Sequence, residues 1–330
     1  MSRINVGVLR GGPSSEYDVS LASGNAVLQH LSEERYNTRD ILISKDGQWN
    51  SRGIPLSPER ALRGIDVAFI ALHGEYGEDG QIQKILDAYN IPYTGSGVFG
   101  SSVAMDKGSA RKHVGNIAGV KMPCYFVLHR EDVTGTLAEA AQKVFSQFGP
   151  LYIVKPLRGG SSVGIATADS VSSLVGALKD VFAVTDAVIV EQFIKGREGA
   201  CGVIDDFREE SLYTLPPVEI IVPNGKGLFD YESKYDGLTE EVCPANFSAA
   251  EKALMQKAAR EVHKSLGLNH YSRSDFIIAP SGIYFLEVNT LPGLTPSSLL
   301  PKSLEAVGVE FPDFLDHLLT LSLKSHGHTR

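Results

Sequence analysis

The first 93 residues alternate short apolar runs with glycine turns and helical patterns, and this alternation constrains the fold more than any other feature. Residues 5–9 form a β-rich run that leads through a glycine turn into an amphipathic helical pattern. Two further β-rich runs, 40–44 and 67–72, follow at the spacing of strands that alternate with helices. The predicted buried stripe of the first helix consists of Val19, Ala22, Ala26 and Val27. We therefore predict an α/β fold that opens with a parallel sheet.

A dinucleotide-binding fold would produce a similar opening but requires a phosphate-binding motif. No G-x-G-x-x-G follows the first strand, and no G-x-x-x-x-G-K-[ST] occurs anywhere in the chain. The sequence therefore disfavours both the Rossmann and the Walker type of nucleotide site.

Composition limits the remaining classes of protein. The 330 residues, 43% hydrophobic and 21% charged, are typical of a globular enzyme with two or three domains. The net charge of -8, without a long Lys/Arg block, argues against nucleic-acid binding. No apolar run reaches the roughly 18 residues of a membrane helix, and no signal-peptide pattern opens the chain, so we predict a cytoplasmic protein without a membrane partner. The three cysteines are far apart and form neither a disulfide framework nor a CxxC knuckle.

Glycine-rich stretches and helix caps suggest how the chain is divided. A glycine-rich segment over residues 93–100 places the first boundary near Ala104. A helix over 136–148 precedes a strand–glycine loop–strand pattern over 151–167 and a further strand over 187–193. Beyond a lid-like segment, 228–246, a capping box of Ser248 and Glu251 begins a helix that Gly267 ends.

A predicted hairpin near the C-terminus gathers charges of both signs on one face. The runs 276–279 and 283–288 are separated by Pro-Ser-Gly, which suits a three-residue loop. This loop places Asp275 opposite Glu287 and Arg273 opposite Asn289, with all four side chains on one side of the sheet. Two facing carboxylates repel each other, and oxygen ligands suit Mg²⁺, so a metal site is one interpretation. An exposed hairpin with solvated charges is the other.

A glycine loop over residues 158–164, RGGSSVG, is the second candidate site. Its backbone N–H groups and the hydroxyls of Ser161 and Ser162 can bind phosphate oxygens, and Lys155 on the preceding strand can add a positive charge. A glycine hairpin without a function would have the same sequence. If a nucleotide binds this loop, the backbone of residues 192–194 can contact adenine and Glu198 can accept from ribose hydroxyls; otherwise these are solvated charges.

Two residues lie where the strands of the predicted parallel sheet end. Glu16 begins the first helix, and His73 follows the third strand. The carboxyl ends of strands in α/β proteins face the ligand crevice, although an acidic residue in a first helical turn is commonly a dipole partner. In the lid-like segment, Lys234 and Tyr235 are further candidates, although aromatic residues there can simply pack the loop down.

Taken in order, these segments resemble the ATP-grasp enzymes of the D-alanine:D-alanine ligase family. The resemblance covers nearly the whole chain and rests on GGPSSEYDVSLASG, ALHGEYGEDG, YTGSGV with MDK, IVKPLRGGSSVG, VIVEQFIKGRE, FDYESKY with CPA, RSD and FLEVNTLPGLTPSSLLP. It implies three α/β domains, 1–104, 105–194 and 195–330, with ATP bound between the central and C-terminal domains. Gly199 departs from the family, which generally has a larger apolar residue there.

The resemblance also implies roles for individual residues. Contacts to ATP are implied for Lys107, Lys155, Ser162, Glu191, Gln192, Phe193, Ile194, Glu198 and Lys234. Asp275, Glu287 and Asn289 would hold two Mg²⁺ ions, with Mn²⁺ as a substitute and a monovalent cation as a further candidate. The implied catalytic residues are Glu16, Ser161 and Tyr235, a hydrogen-bonded triad that closes the lid, together with Arg273 and the Gly293 N–H, which would stabilise an oxyanion. His73 would lie beside the first D-alanine, and Ser298 with Leu299 would receive the second.

The expected activity is therefore the ATP-dependent joining of two D-alanine molecules through an acyl phosphate, for peptidoglycan synthesis, by a homodimer. Ligases that take D-lactate or D-serine as the second substrate are the nearest alternative. A nucleotide-binding homologue that has lost catalysis is the alternative from another class.

Overall fold

The structure is a computed structural model that describes residues 3–159, 164–221 and 239–327, with side chains described as far as Ser325. The predicted contacts of Ser161, Ser162, Lys234 and Tyr235 lie outside the described residues.

The N-terminal sheet confirms the predicted parallel opening. It comprises β1 (Ile4–Gly11), β2 (Tyr36–Ile43), β3 (Trp49–Ser51), β4 (Ile54–Leu56) and β5 (Val67–Ile70). The strand order is β4-β3-β2-β1-β5, and β1 pairs in parallel with both β2 and β5. The antiparallel strands β3 and β4 were not predicted, because three residues are too few to show an alternating pattern. The accompanying helices are α1 (Tyr17–His30), α2 (Pro58–Leu62) and α3 (Gln81–Ala88).

The predicted buried stripe of α1 is only half correct. Ala26 and Val27 are buried, whereas Val19 is half-buried and Ala22 is exposed, and both of the latter line a large cleft. Ser20 is buried instead, since its hydroxyl accepts an N–H from the end of β1 and donates to a carbonyl beyond β5. Hydrogen bonding thus compensates the burial of a polar face, which an apolar pattern cannot reveal.

The middle of the chain forms an antiparallel sheet in the order β7-β10-β8-β9. Its strands are β7 (Tyr125–His129), β8 (Tyr152–Pro156), β9 (Ala166–Ala168) and β10 (Ala187–Gln192). A 3₁₀ turn (Arg130–Asp132), α6 (Leu137–Gln147) and α7 (Val171–Phe182) accompany it. The predicted helix over 136–148 is confirmed, with Thr136 as the N-cap of a complete capping box.

A third sheet follows the order β14-β13-β11-β15-β16-β6, with β12 paired to β11. Its strands are β6 (Val120–Lys121), β11 (Arg197–Phe207), β12 (Glu210–Thr214), β13 (Val218–Ile221), β14 (Glu240–Val242), β15 (Tyr271–Ala279) and β16 (Gly282–Asn289). The remaining helices are α4 (Val98–Met105), α5 (Lys107–Val114), α8 (Ala249–Ser265), α9 (Leu299–Glu305) and α10 (Phe311–Gly327). The capping box of α8 forms as predicted, with Ser248 as its N-cap and Glu251 at N3.

The hairpin of β15 and β16 has the predicted register at the charged residues but reaches it differently. Ala279 pairs with Gly282, so the loop contains two residues and the predicted three-residue loop is wrong. A β-bulge follows, because Phe276 pairs with Phe285 while Asp275 pairs with Glu287 and leaves Leu286 as the extra residue. The bulge adds the one residue that the shorter loop lacks, so Asp275 still faces Glu287.

The packing of the core crosses the predicted domain boundaries. Phe314 and Leu318 of α10 belong to the same buried cluster as Val8 of the N-terminal sheet. Ala104, at the end of α4, belongs to the cluster under β15 and β16 together with Phe285. The division into 1–104, 105–194 and 195–330 stays a proposal.

Candidate active site

A cleft of about 920 Å³ lies where the three sheets meet. Residues from all three predicted domains line it, among them Glu16, His73, Lys107, Lys155, Glu191, Gln192, Phe193, Ile194, Glu198, Arg273, Asp275, Glu287, Asn289, Gly293, Ser298 and Leu299. Every predicted site residue within the described ranges therefore lines one cavity, which is of the size that holds a nucleotide and small substrates.

A buried network of charges forms one wall of the cleft. The carboxylate of Glu191, on β10, lies 2.9 Å from Arg111 Nη2 and 3.1 Å from Lys155 Nζ. Although burial opposes ionisation of Glu191, Lys155 and Arg111 lower its pKa below the ordinary value, so the side chain is an anion. The buried Glu191 carboxylate thus holds the ammonium of Lys155 in place rather than facing a ligand freely.

Lys107 approaches the same region from α5. Asp106 caps this helix through the Ser109 N–H, which places Lys107 in the first turn with Arg111 four residues later on the same face. The Lys107 ammonium donates to the Gly159 carbonyl (2.6 Å) and lies 3.7 Å from the Glu287 carboxylate. Burial lowers its pKa, and Glu287 acts in the opposite direction.

Glu287 is the point where the two lysines meet the third sheet. Its Oε2 lies 3.7 Å from Lys107 Nζ and 3.9 Å from Lys155 Nζ. The charged residues of β15 and β16 thus lie beside Lys155 of the central sheet and Lys107 of α5. Two ammonium groups near one partly exposed carboxylate form a site suited to a polyanion.

Arg273 and Asp275 form a bidentate ion pair on β15. Arg273 donates from Nε to Asp275 Oδ1 (2.8 Å) and from Nη2 to Oδ2 (2.9 Å), and Asn289 Nδ2 donates to the same Oδ2 (3.3 Å). Burial opposes the charge of Arg273, but the pKa is raised by Asp275, so the guanidinium remains a cation in the cleft. The facing arrangement predicted from the sequence is thus confirmed.

Two backbone N–H groups of the predicted adenine contacts already form hydrogen bonds within the protein. The Gln192 N–H donates to the Cys124 carbonyl and the Phe193 N–H to the Leu151 carbonyl, each at 2.8 Å. Both donors are therefore used within the protein, and contacts from this strand to a base would have to come from its carbonyls or from the neighbouring Ile194.

Gly293, Ser298 and Leu299 also line the cleft, and Gly293 lies next to Ser298. A Cβ atom added to Gly293 would lie 2.7 Å from Ser298 Oγ, so the hydroxyl packs directly against the glycine backbone. Ser298 Oγ also accepts from the Thr295 N–H (3.2 Å) and is 2.8 Å from Thr295 Oγ1. This compact turn precedes α9, where Leu299 is buried.

Sequence and structure comparisons agree with this geometry. The family description D-ala D-ala ligase N-terminus matches residues 5–60 and 50–96, and D-ala D-ala ligase C-terminus matches residues 114–320. The chain is 39% identical to the D-alanine--D-alanine ligase of Syntrophotalea carbinolica over 95% of its own length and 94% of the relative's. It is also 39% identical to that of Geobacter sulfurreducens, over 98% and 96% of the two lengths.

The chain belongs to the D-alanine–D-alanine ligase family.

Solved structures support the same assignment. The D-alanine--D-alanine ligase from Bacillus anthracis complexed with ATP superposes with a TM-score of 0.81 at 30% identity, over the full length of both chains. The VanG D-Ala:D-Ser ligase from Enterococcus faecalis superposes with a TM-score of 0.83 at 31% identity, over 97% of this chain and 100% of that one. The predicted α/β ATP-grasp fold and family are both confirmed.

The departure from the family at Gly199 has a packing explanation. A Cβ atom at this position would lie 2.7 Å from Met255 Cε and 2.7 Å from Phe247 Cε2. These two large side chains fill the space that a side chain at position 199 would need. The neighbouring Glu198 keeps its place in the lining of the cleft.

Two buried charged residues of the site were not assigned a role from the sequence. Arg111 bridges Glu191 and the carbonyl of the bulged Leu286 (3.1 Å), and Glu78 is buried in the wall of the cleft. The four-residue spacing of Lys107 and Arg111 was a usable signal for the first. Glu78 stands among several acidic residues in GEYGEDG, where nothing in the sequence separates a buried carboxylate from a solvated one.

Two kinds of feature are absent from the described part of the chain. It contains no helix with the length and apolar character needed to cross a membrane. It also contains no group of three or more His, Cys, Asp or Glu side chains arranged to hold a metal. The predicted metal trio, Asp275, Glu287 and Asn289, consists of two carboxylates and one amide.

Proposed function

We propose that the protein joins two D-alanine molecules to D-alanyl-D-alanine at the expense of ATP, for peptidoglycan synthesis. The observation that carries the proposal is the convergence of Lys107, Lys155 and Arg273 with Glu287 and Asp275 in one cleft. A ligase needs cations for phosphoryl transfer and an acidic pair for metal ions, and this cleft has both. We further propose that the protein acts in the cytoplasm as a homodimer.

The first step takes place at the lysine end of the cleft. A carboxylate oxygen of the first D-alanine attacks the γ-phosphorus of ATP, the bond to the bridging oxygen breaks, and an acyl phosphate and ADP result. Lys107 and Lys155 would bind the phosphate oxygens, because their ammonium groups already lie within 3.9 Å of one Glu287 oxygen. Transition-state charge is spread over the transferred group, so fixed cations are the main requirement.

Asp275, Glu287 and Asn289 have the donor chemistry for the two Mg²⁺ ions that we propose they hold. Carboxylate and amide oxygens on paired strands are the ligands that Mg²⁺ prefers, and each carboxylate oxygen has more than one lone pair. When bound, Mg²⁺ neutralises charge on the β- and γ-phosphates. Hydrogen bonds from Arg273 and Asn289 hold Asp275 in one orientation, which supports its proposed role as a metal ligand.

The second step takes place at the Gly293 end. The amine of the second D-alanine, after losing a proton, attacks the acyl carbon, and the tetrahedral intermediate expels phosphate. Arg273 and the Gly293 N–H are suited to stabilise the oxyanion, because both line the cleft beside the metal trio. Ser298 and Leu299 would receive the carboxylate of this second substrate, and Glu16 would bind the ammonium of the first.

The remaining assignments concern the nucleotide and the lid. Glu198 would accept from the ribose, while Glu191, Ile194 and the carbonyls nearby would define the adenine pocket. Ser161, Ser162, Lys234 and Tyr235 keep the roles implied by the family resemblance, as phosphate contacts and as the lid that closes with Glu16. A closed lid is required because an acyl phosphate hydrolyses in water.

A D-serine-using ligase is the second candidate, favoured by the structural similarity to the VanG D-Ala:D-Ser ligase. ADP release with D-alanine alone, compared with release after addition of D-serine or D-lactate, separates the two. Rapid ADP release and dipeptide formation with D-alanine alone is the expected result. Release only after D-serine or D-lactate is added would refute the choice of D-alanine, and ATP binding without any release would identify a non-catalytic homologue.

The metal assignment is tested by Glu287→Gln. We expect turnover to fall by more than about 100-fold with little loss of fold, because a neutral amide binds Mg²⁺ weakly and the side chain is partly exposed. Steady-state ADP release against Mg²⁺ concentration and a thermal unfolding curve measure the two effects. Glu261→Gln makes the same chemical change on an exposed position of α8 and serves as the control. Unchanged turnover in Glu287→Gln would contradict the assignment.

A further inference from the structure

Two loops that line the cleft are tied together by one buried carboxylate. Glu78 accepts the Gly74 N–H at Oε2 (2.9 Å) and the Leu291 N–H at Oε1 (2.8 Å). The side chain is 6% exposed, and the two donors belong to segments 217 positions apart in the chain, one after β5 and one after β16. A buried carboxylate with a backbone donor on each oxygen fixes both segments relative to each other.

His73 binds the same residue, Leu291, at its carbonyl. Its Nδ1 lies 2.8 Å from the Leu291 carbonyl, which can only accept, so Nδ1 carries the proton. Nε2 therefore accepts from Ser23 Oγ (2.8 Å), whose oxygen in turn accepts the Leu294 N–H (3.2 Å). Burial lowers the pKa of His73 to about 4, so the ring stays neutral at physiological pH and keeps this tautomer.

These contacts hold the chain on both sides of Gly293. Leu291 is bound at its N–H by Glu78 and at its carbonyl by His73, and Leu294 is bound at its N–H by Ser23. Gly293 has no side chain of its own to fix its peptide. The direction of the Gly293 N–H is therefore set by the neighbouring residues, which form hydrogen bonds with side chains of the N-terminal domain.

We infer that Glu78, His73 and Ser23 are positioning residues that fix residues 291–294 and so aim the Gly293 N–H at the oxyanion of the second step. The inference rests on the proposed ligase function, in which Gly293 is an oxyanion donor. It also gives His73 a role different from a direct substrate contact, since both ring nitrogens bind within the protein.

A misdirected oxyanion donor has a characteristic consequence in this reaction. The acyl phosphate forms at the lysine end of the cleft, whereas the Leu291 N–H that Glu78 accepts lies two residues before Gly293, so capture of the acyl phosphate by the second amine is the step that slows most. Water then attacks the acyl phosphate, which returns D-alanine and phosphate after ADP has left. Loss of positioning therefore lowers the number of dipeptides formed per ADP, whereas partial unfolding lowers both products equally.

The primary test is Glu78→Gln, measured as dipeptide and ADP formed in the same reaction. The amide has the same size but only one acceptor oxygen, so its NH₂ group faces one of the two backbone donors. We expect kcat for dipeptide to fall by about 10- to 100-fold, with little change in the KM for ATP and a dipeptide-to-ADP ratio below unity. Glu131→Gln, an exposed position in the 3₁₀ turn, should leave the ratio at unity.

A second pair of variants tests the histidine. His73→Asn keeps an N–H donor near the position of Nδ1, and His73→Leu removes it. We expect the dipeptide-to-ADP ratio of His73→Asn to lie nearer the unmodified protein than that of His73→Leu.

The outcomes separate this inference from the proposed function. If Glu78→Gln and His73→Leu lower dipeptide and ADP in equal proportion, or leave both unchanged, the positioning role is refuted while the ligase function stands. If the unmodified protein releases no ADP with D-alanine, D-serine or D-lactate, the proposed function fails first.

Discussion

Removing Arg111 should destabilise the protein more than removing any exposed arginine. Its guanidinium is buried, lies 2.9 Å from the Glu191 carboxylate and donates to the Leu286 carbonyl at 3.1 Å. It also covers the Tyr125 ring at 5.1 Å. Arg111→Met keeps much of the volume but leaves a buried carboxylate with Lys155 alone, and breaking a buried ion pair in this way costs about 3–5 kcal/mol.

Urea unfolding measures this loss. With a dependence of about 3 kcal/mol per molar urea, the midpoint should fall by about 1–1.7 M. The urea midpoint of Arg111→Lys should lie between those of the unmodified protein and Arg111→Met, because an ammonium keeps the charge but reaches only one of the two acceptors. Arg63→Met, which removes an exposed partner of Glu59, should change the unfolding free energy by less than about 1 kcal/mol.

A double variant tests the physical reason. If the cost comes from an uncompensated buried charge, Glu191→Gln in the Arg111→Met background should cost less than it does alone, with a coupling of about 1–3 kcal/mol. Additive losses, or a loss below about 1 kcal/mol for Arg111→Met, would refute the reasoning.

Two further predictions concern other parts of the fold. Burial lowers the pKa of His270 to about 4. Asp205 acts to raise this pKa, whereas His317 and His263 lower it further. The folded state therefore resists protonation, and the unfolding free energy should fall by about 2 kcal/mol from this residue as pH drops from 7 to 5. His270→Asn tolerates the left-handed backbone and should remove that part of the pH dependence; an unchanged slope would contradict it. Gly199→Ala should cost about 1–3 kcal/mol through overpacking, whereas Gly176→Ala, in open space within a helix, should be neutral or stabilising by thermal unfolding; equal effects of the two alanines would exclude the packing explanation.

The charged hairpin shows how a correct register can follow from an incorrect local prediction. The composition Pro-Ser-Gly suggested three loop residues, while the structure has two and adds Leu286 as a bulge. Arg111 donates to the carbonyl of that bulged residue, a contact from a helix some 170 positions earlier in the chain. A turn motif contains no information about such a contact. The pairing of Asp275 with Glu287 was predicted correctly only because the loop is one residue shorter than predicted and the bulge adds one residue.

The first helix shows the opposite case. Apolar spacing predicted that Val19 and Ala22 are buried, but Ser20 and Ser23 lie inside, because their hydroxyls bind backbone groups of the sheet and the His73 ring. Polar residues are buried where specific partners compensate them, and the partners come from distant segments.

By itself, the sequence determined the family and the α/β class and singled out a set of charged candidates, since ordered motifs and hydrophobic periods depend on neighbouring residues. Only the tertiary structure decided what those groups do to each other. Glu191 is paired with Lys155 and Arg111, and Glu78 and His73 bind Leu291, which lies more than 200 positions away in the chain. Burial and hydrogen-bond partners give each charged group its role, and both arise only when distant parts of the chain pack together.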